Sequence, residues 1–119
     1  MADVSSSAEL EVRSGPLAGR RLPVPPGEAL IGRGGAAALR VPDESASREH
    51  ALLSFDPDSG TWSVEDLHST NGTRVNGRRV RSSPLRDGDE IQVGSTRLAF
   101  RLRDDPTRDG VGAPEADGY

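Results

Sequence analysis

Apolar and polar residues alternate along most of this chain with the two-residue period of half-buried strands. The apolar positions are Leu10 and Val12, Leu52 with its neighbours up to Phe55, Trp62 and Val64, Ile91 and Val93, and Leu98, Phe100 and Leu102. Turn-forming clusters punctuate these runs roughly every ten residues, as expected for short sandwich strands. They are Ser14-Gly15-Pro16, Pro25-Pro26-Gly27, Asp58-Ser59-Gly60, Asn76-Gly77, Asp87-Gly88-Asp89 and Gly94-Ser95. The pattern predicts an all-β, antiparallel sandwich. No window sustains a 3.6-residue apolar stripe. The alanine cluster Ala36 to Ala38 follows two glycines and stops at Pro42, so any helix there is short or absent. The sharpest local signal is Asn76-Gly77. A type I′ hairpin needs two successive positive-φ residues, which this dipeptide tolerates best, so it should join Thr73–Val75 to Arg78–Val80.

Composition narrows the function classes. The 119 residues fit one domain, and with 33% hydrophobic and 3% aromatic residues the core must be built from Leu, Val, Ile and Ala around Trp62, Phe55 and Phe100. Both ends lose the alternation. Residues 1–7 are expected to form a disordered N-terminal tail, 8–103 the domain, and 104–119 a disordered acidic C-terminal tail. No run approaches the roughly 18 apolar residues of a membrane span, and the start lacks a secretory layout; a cytoplasmic protein with no membrane insertion is expected. There is no cysteine, hence no disulfide and no thiolate ligand. The two histidines, His50 and His68, do not make a zinc site, so no metal or cofactor is expected. All 15 basic residues are arginine, which excludes a lysine Schiff base and a lysine-dependent phosphate loop. A net charge of −4 argues against nucleic acid as a partner, so any anion site must be local.

Three polar segments carry the candidate chemistry. Arg33 follows Gly32 at the end of the apolar run Ala29-Leu30-Ile31. Its guanidinium should point outward where a strand enters a loop, a fork of donors matched to phosphate oxygens, while the glycine lets backbones approach. Alone, such a residue reads as an ordinary surface arginine. Ser47 can donate to a phosphate oxygen and Arg48 can add a cationic contact. His50 should be partly buried, neutral, and bonded to loop backbone so that it holds Ser47 in place. In the third segment Thr70 can cap a phosphate by hydroxyl or N–H, and Asn71 can grip an extended main chain. Gly72 supplies backbone freedom, and Asp66 and Ser69 should fold the loop onto itself. Ser47, His50 and Asp66 are also the ingredients of a hydrolase triad, but no nucleophile-elbow glycines surround Ser47; no catalytic residue is expected.

Taken together, Gly32-Arg33, Ser47-x-x-His50, the run from Asp66 through Ser69-Thr70-Asn71-Gly72-Thr73 to Asn76-Gly77, and Leu85-Arg86-Asp87-Gly88-Asp89 resemble a forkhead-associated (FHA) domain over about residues 8 to 103. The resemblance implies a sandwich of about eleven strands that binds phosphothreonine peptides through loops at one end, a known Arg-based mode of phospho-recognition. It implies Arg33 and Ser47 as phosphate ligands, Arg48 as a secondary one, Thr70 as a loop contact and Asn71 as the peptide clamp. Gly32, His50, Ser69 and Gly72 would shape the site, and Ser45 would lie where residues past the phosphothreonine are read. The implied partners are a phosphothreonine protein and an upstream Ser/Thr kinase, with the domain itself a monomeric signalling adaptor. A phosphate-independent scaffold is the alternative. Thr107, in the acidic tail, is a candidate phosphorylation site of the chain itself.

Overall fold

The computed structural model describes residues 7–103. Eleven strands follow one another: β1 (Ser7–Val12), β2 (Arg21–Val24), β3 (Glu28–Gly32), β4 (Leu39–Arg40), β5 (Ala51–Asp56), β6 (Thr61–Asp66), β7 (Thr73–Val75), β8 (Arg78–Val80), β9 (Ser82–Leu85), β10 (Glu90–Val93) and β11 (Thr96–Arg103). β1 opens one residue ahead of the expected boundary; the rest of the two expected tails, and Thr107 with them, lies outside the described residues.

Alternation builds the two layers. One sheet has the order β2-β1-β11-β10-β7-β8 and the other β4-β3-β5-β6-β9. Their inner faces bury Leu10, Val12, Ile91, Val93, Leu98 and Phe100 against Ile31, Leu39, Leu53, Trp62 and Val64. Removing these side chains from water is the main drive for stacking the sheets, at about 1.5 to 3 kcal/mol per large residue. Trp62 lies at the centre of the aromatic contacts, its ring centroid 5.2 Å from Phe55 and 6.1 Å from Phe100. Two local expectations change. In β5 the inward residues are Ala51 and Leu53, with Leu52 only half-buried, because the register Leu53↔Val64 sets the face. Leu102, continuing the Leu98–Phe100 alternation, is 40% exposed near the end of β11. One pairing departs from the antiparallel pattern: β3 and β4 run parallel, Ile31 opposite Leu39.

Asn76 and Gly77 have φ of 52° and 85°, the two left-handed positions of the expected tight hairpin between β7 and β8. Pairings Ile31↔Ala51, Ala51↔Asp66, Val93↔Thr73 and Val93↔Thr96 bring the loops after β3, before β5, between β6 and β7 and between β10 and β11 to one end of the sandwich. All three polar segments singled out in the sequence meet there. Among the described residues, no helix is long and apolar enough to cross a membrane.

Candidate functional site

The site begins with a missing side chain. A Cβ on Gly32 would sit 2.0 Å from the Arg48 carbonyl oxygen, so only glycine lets the segment before β5 lie against the end of β3. That approach extends the ladder beyond the strands. The Arg33 and Gly34 N–H groups donate to Ser47 and Arg48 carbonyls (3.0 and 3.2 Å), and the His50 N–H donates to Ile31 (2.9 Å). Arg33 and Ser47 are thereby held side by side. The Arg33 guanidinium does not swing freely outward; it is half-buried and its Nε donates to the Ala46 carbonyl at 3.0 Å. Its terminal nitrogens have no protein hydrogen-bond partner among the described residues.

His50 ties this segment to the next. It is fully buried rather than partly so, and its Nδ1 accepts the Ser47 N–H at 2.9 Å while Nε2 lies 2.9 Å from the Gly72 carbonyl. An acceptor at Nδ1 and a carbonyl opposite Nε2 fix one arrangement, the neutral ring with its proton on Nε2. With both nitrogens used on backbone, none reaches the Ser47 hydroxyl. Asp66 is likewise engaged elsewhere: its carboxylate accepts from the Ser69 hydroxyl, from the Ser69 N–H at 3.2 Å and from the Thr73 hydroxyl at 2.8 Å. The three residues do not form a catalytic triad, which requires histidine to bridge the other two. Partial burial pushes the Asp66 carboxyl up, but the hydrogen bonds from Ser69 and Thr73 outweigh it and hold the group below its ordinary range.

The loop between β6 and β7 is folded onto itself as expected. The Ser69 hydroxyl accepts the Gly72 N–H at 2.9 Å, and Gly72 takes a φ of 84°. Its tip then reaches across to the loop before β5. Thr70 N–H donates to the Ser47 hydroxyl at 3.0 Å, and Asn71 Nδ2 donates to the Ser45 carbonyl at 2.7 Å. Ser47 Oγ therefore accepts from one side and has its own hydrogen to give, and Asn71 keeps its amide oxygen and a second N–H. Arg33, Ser45, Ser47, Arg48, Thr70 and Asn71, with Glu44 and Ala46, line one open concavity of about 390 Å³. All five residues expected to contact a ligand line it, and none of the four expected to shape it does.

Sequence reasoning missed the residue that fastens the loop before β5 to the β10–β11 turn. The Asp43 carboxylate accepts from the Ser45 N–H and hydroxyl (2.9 and 2.6 Å), the Ser95 N–H (2.9 Å) and the Thr96 hydroxyl (2.7 Å), tying the loop before β5 to the β10–β11 turn. Burial pushes this carboxyl up, yet those hydrogen bonds prevail and hold it far below the ordinary 3.8. Its local half was legible, since Asp43-x-Ser45 is an Asx turn. Its partners some fifty residues away were not. A separate cavity of about 210 Å³ opens behind Asp43. Leu17, Leu22, Val41 and Leu98 supply its apolar walls, with Ser14, Arg40, Ser95 and Thr96 among its polar lining.

The arrangement matches known proteins in sequence and shape. The FHA domain family model matches residues 29–94. Glycogen accumulation regulator GarA of Mycolicibacterium smegmatis is 40% identical over 81% of this chain and 60% of its own length. FHA domain-containing protein FhaA of Mycobacterium tuberculosis is 36% identical over 82% of this chain and 18% of its own. The chain thus spans less than two thirds of both relatives. A solved FHA domain studied for phosphothreonine-dependent interactions superposes with a TM-score of 0.74 at 36% identity, covering 82% of this chain and 98% of that one. The FhaA FHA domain, solved in complex with the intracellular domain of Rv3910, gives 0.71 at 37% identity over 80% of this chain and all of its own.

Proposed function

This chain belongs to the FHA domain family, and on that premise we propose that it binds phosphothreonine segments of partner proteins, as an adaptor downstream of Ser/Thr kinases. The observation that carries the reading is the pairing of Arg33 with Ser47 at the floor of the concavity, each with donors turned away from the protein. A phosphothreonine brings about −1.5 to −2 charges and three strong acceptors at neutral pH. The Arg33 terminal nitrogens meet two of those acceptors and the Ser47 hydroxyl another, while Arg48 adds charge from the rim. Thr70 closes the loop over the phosphate, and Asn71 bonds the peptide backbone with the amide groups that Ser45 leaves free. Nothing in this scheme breaks a bond: the domain captures its ligand without transforming it. We place that activity in the cytoplasm, with the domain acting as a monomer.

Calorimetry with one peptide in phosphorylated and bare forms tests it. The phosphorylated form should bind and the bare form should not, and Arg33→Ala should cost about 2 to 5 kcal/mol by leaving the phosphate desolvated and unpaired. Equal heats from the two peptides, or an unimpaired Arg33→Ala, would overturn the reading; binding insensitive to phosphatase treatment of the partner would favour a phosphate-independent scaffold.

The same geometry bears on Thr107. β11 runs from Thr96, which is bonded to Asp43 at the site end, to Arg103 at the far end, roughly 23 Å at about 3.3 Å per residue. Four residues from Arg103 to Thr107 span at most roughly 14 Å. A phosphorylated Thr107 is therefore out of reach of its own site, and only the site of another molecule could take it.

A further inference from the structure

The outer face of the six-stranded sheet is sorted by charge, row by row. Register places Arg79 of β8 opposite Arg74 of β7, Arg74 opposite Gln92 of β10, and Gln92 opposite Arg97 of β11. The Arg13 N–H, just past β1, donates to the Arg97 carbonyl and extends the same row. Arg13, Arg74, Arg79 and Arg97 are all exposed, and among the described residues none of them pairs with a carboxylate. The next rows contrast with this one. They carry Glu90, Glu11 and Glu9, of which Glu11 pairs with Arg101 (3.4 Å) and Glu9 with Arg21 (3.7 Å). In a chain of net charge −4, four arginines left uncompensated in one line, two of them directly opposite each other, work against folding. Neighbouring strands lie about 4.8 Å apart, so the line is roughly 19 Å long and one side chain wide.

The line also meets the phosphate site. A Cβ on Gly72 would come within 2.5 Å of Arg79 Nε, so the Arg79 guanidinium lies over the peptide unit next to Asn71. We propose that the arginine row is a second recognition surface, which takes an acidic stretch of the same partner segment that presents the phosphothreonine. This rests on the phosphothreonine reading above. An extended run of about six residues matches the row in length. Its narrowness favours a single peptide strand: a nucleic-acid duplex or an anionic membrane, lying flat, would press its phosphates on Glu90 and Glu11 in the adjoining row.

The test uses the full chain and three probes: a phosphothreonine peptide, the same peptide with about six glutamates added on either side, and matching neutral extensions. One glutamate extension should tighten binding about tenfold at low salt, a gain that shrinks as salt rises. The double variant Arg74→Gln/Arg97→Gln should lose that gain and bind the unextended peptide as the parent does. No gain from either acidic extension, or a gain that persists in the double variant, overturns the proposal. Tighter capture of an oligonucleotide or of anionic vesicles through these same arginines would assign the row to another partner and overturn it too. Failure of every phosphopeptide would sink the phosphothreonine reading instead. An oligoglutamate without phosphate, titrated at low salt and followed by amide shifts at Arg74, Gln92 and Arg97, then still decides the row: shifts support it, their absence refutes it.

Discussion

Two turns flank the three-residue strand β7, and their shapes are specified by different means. The hairpin after it, Asn76-Gly77, is specified by its own two residues, whose positive φ values fit few other side chains. The loop before it, residues 67–72, is held from a distance: His50 at Gly72, Ser47 at Thr70 and Ser45 at Asn71 lie 22 to 26 residues away in sequence. The hairpin's shape is encoded locally, although its Asn76 side chain also bonds Asp89 at 3.0 Å and the Glu90 N–H at 2.9 Å. A loop built from remote contacts is positioned only when the whole sandwich is formed, and in return it fixes groups from separate loops around one concavity. The recognition end adds this second kind of construction to its local Asp66–Ser69–Gly72 bonds, so damage there should couple binding to stability, while damage at the hairpin should not.

The largest break should come from Gly32→Ala. The added carbon overlaps a backbone carbonyl that cannot rotate away, so the segment carrying Ser47 must leave β3. We expect a loss of about 3 kcal/mol of stability and of all phosphopeptide binding, measured by urea unfolding and calorimetry. A variant with parental stability and affinity would show that the close approach is not what builds the site.

Next is His50→Ala, which removes a fully buried ring and orphans the Ser47 N–H and the Gly72 carbonyl, one on each side of the cleft. A stability loss of about 2 to 4 kcal/mol should accompany weakened binding. Here the comparison sharpens: if melting fell but affinity held, the two loops would be positioned independently of their shared histidine.

These two residues also show what the sequence made legible. Alternation exposed β1, β5, β6, β10 and β11, because one buried face imposes a period of two whatever lies on the other sheet, while β2, β4 and β9 gave no such signal. The hairpin was readable because its constraint is steric and local. Arg33, Ser47, Thr70 and Asn71 were found as separate polar signals in three loops, and their resemblance to a known order of motifs joined them. Hidden from sequence were contacts defined only by register and stacking. Examples are the complete burial of His50, the span from Asp43 to Ser95 and Thr96, and the arginine row, whose members are scattered from position 13 to 97. The parallel pairing of β3 with β4 escaped for a similar reason, since two residues carry no directional pattern.

Acid should loosen the recognition end selectively. Asp43 and Asp66 both have carboxyls held below their ordinary values by hydrogen bonds that outweigh partial burial. A depressed folded-state pKa contributes stability that is complete above the unfolded value, about 3.9, and is lost as pH falls towards the folded value. Unfolding midpoints should thus be flat with respect to these groups from pH 7 to about 5 and fall below about 4. Asp43→Asn should lower stability at neutral pH by about 1 to 2 kcal/mol and flatten the acid limb. An acid limb of unchanged slope in the variant would remove Asp43 as its source.

The smallest effect should run the other way. His68 adopts a φ of 55°, in the same left-handed region as Asn76, but its side chain is exposed and no hydrogen bond to it is needed to explain the loop. Left-handed backbone costs an ordinary L-residue about 1 kcal/mol, and asparagine tolerates it better through local hydrogen bonding. His68→Asn should therefore raise stability by a few tenths to about 1 kcal/mol in thermal unfolding and leave phosphopeptide affinity unchanged. Importing the hairpin's local solution into the loop would then strengthen it without altering its remote attachments. A stability gain accompanied by lost affinity would mean instead that the strain at His68 helps to set the position of Thr70 and Asn71, and that the two turns differ less than their contacts imply.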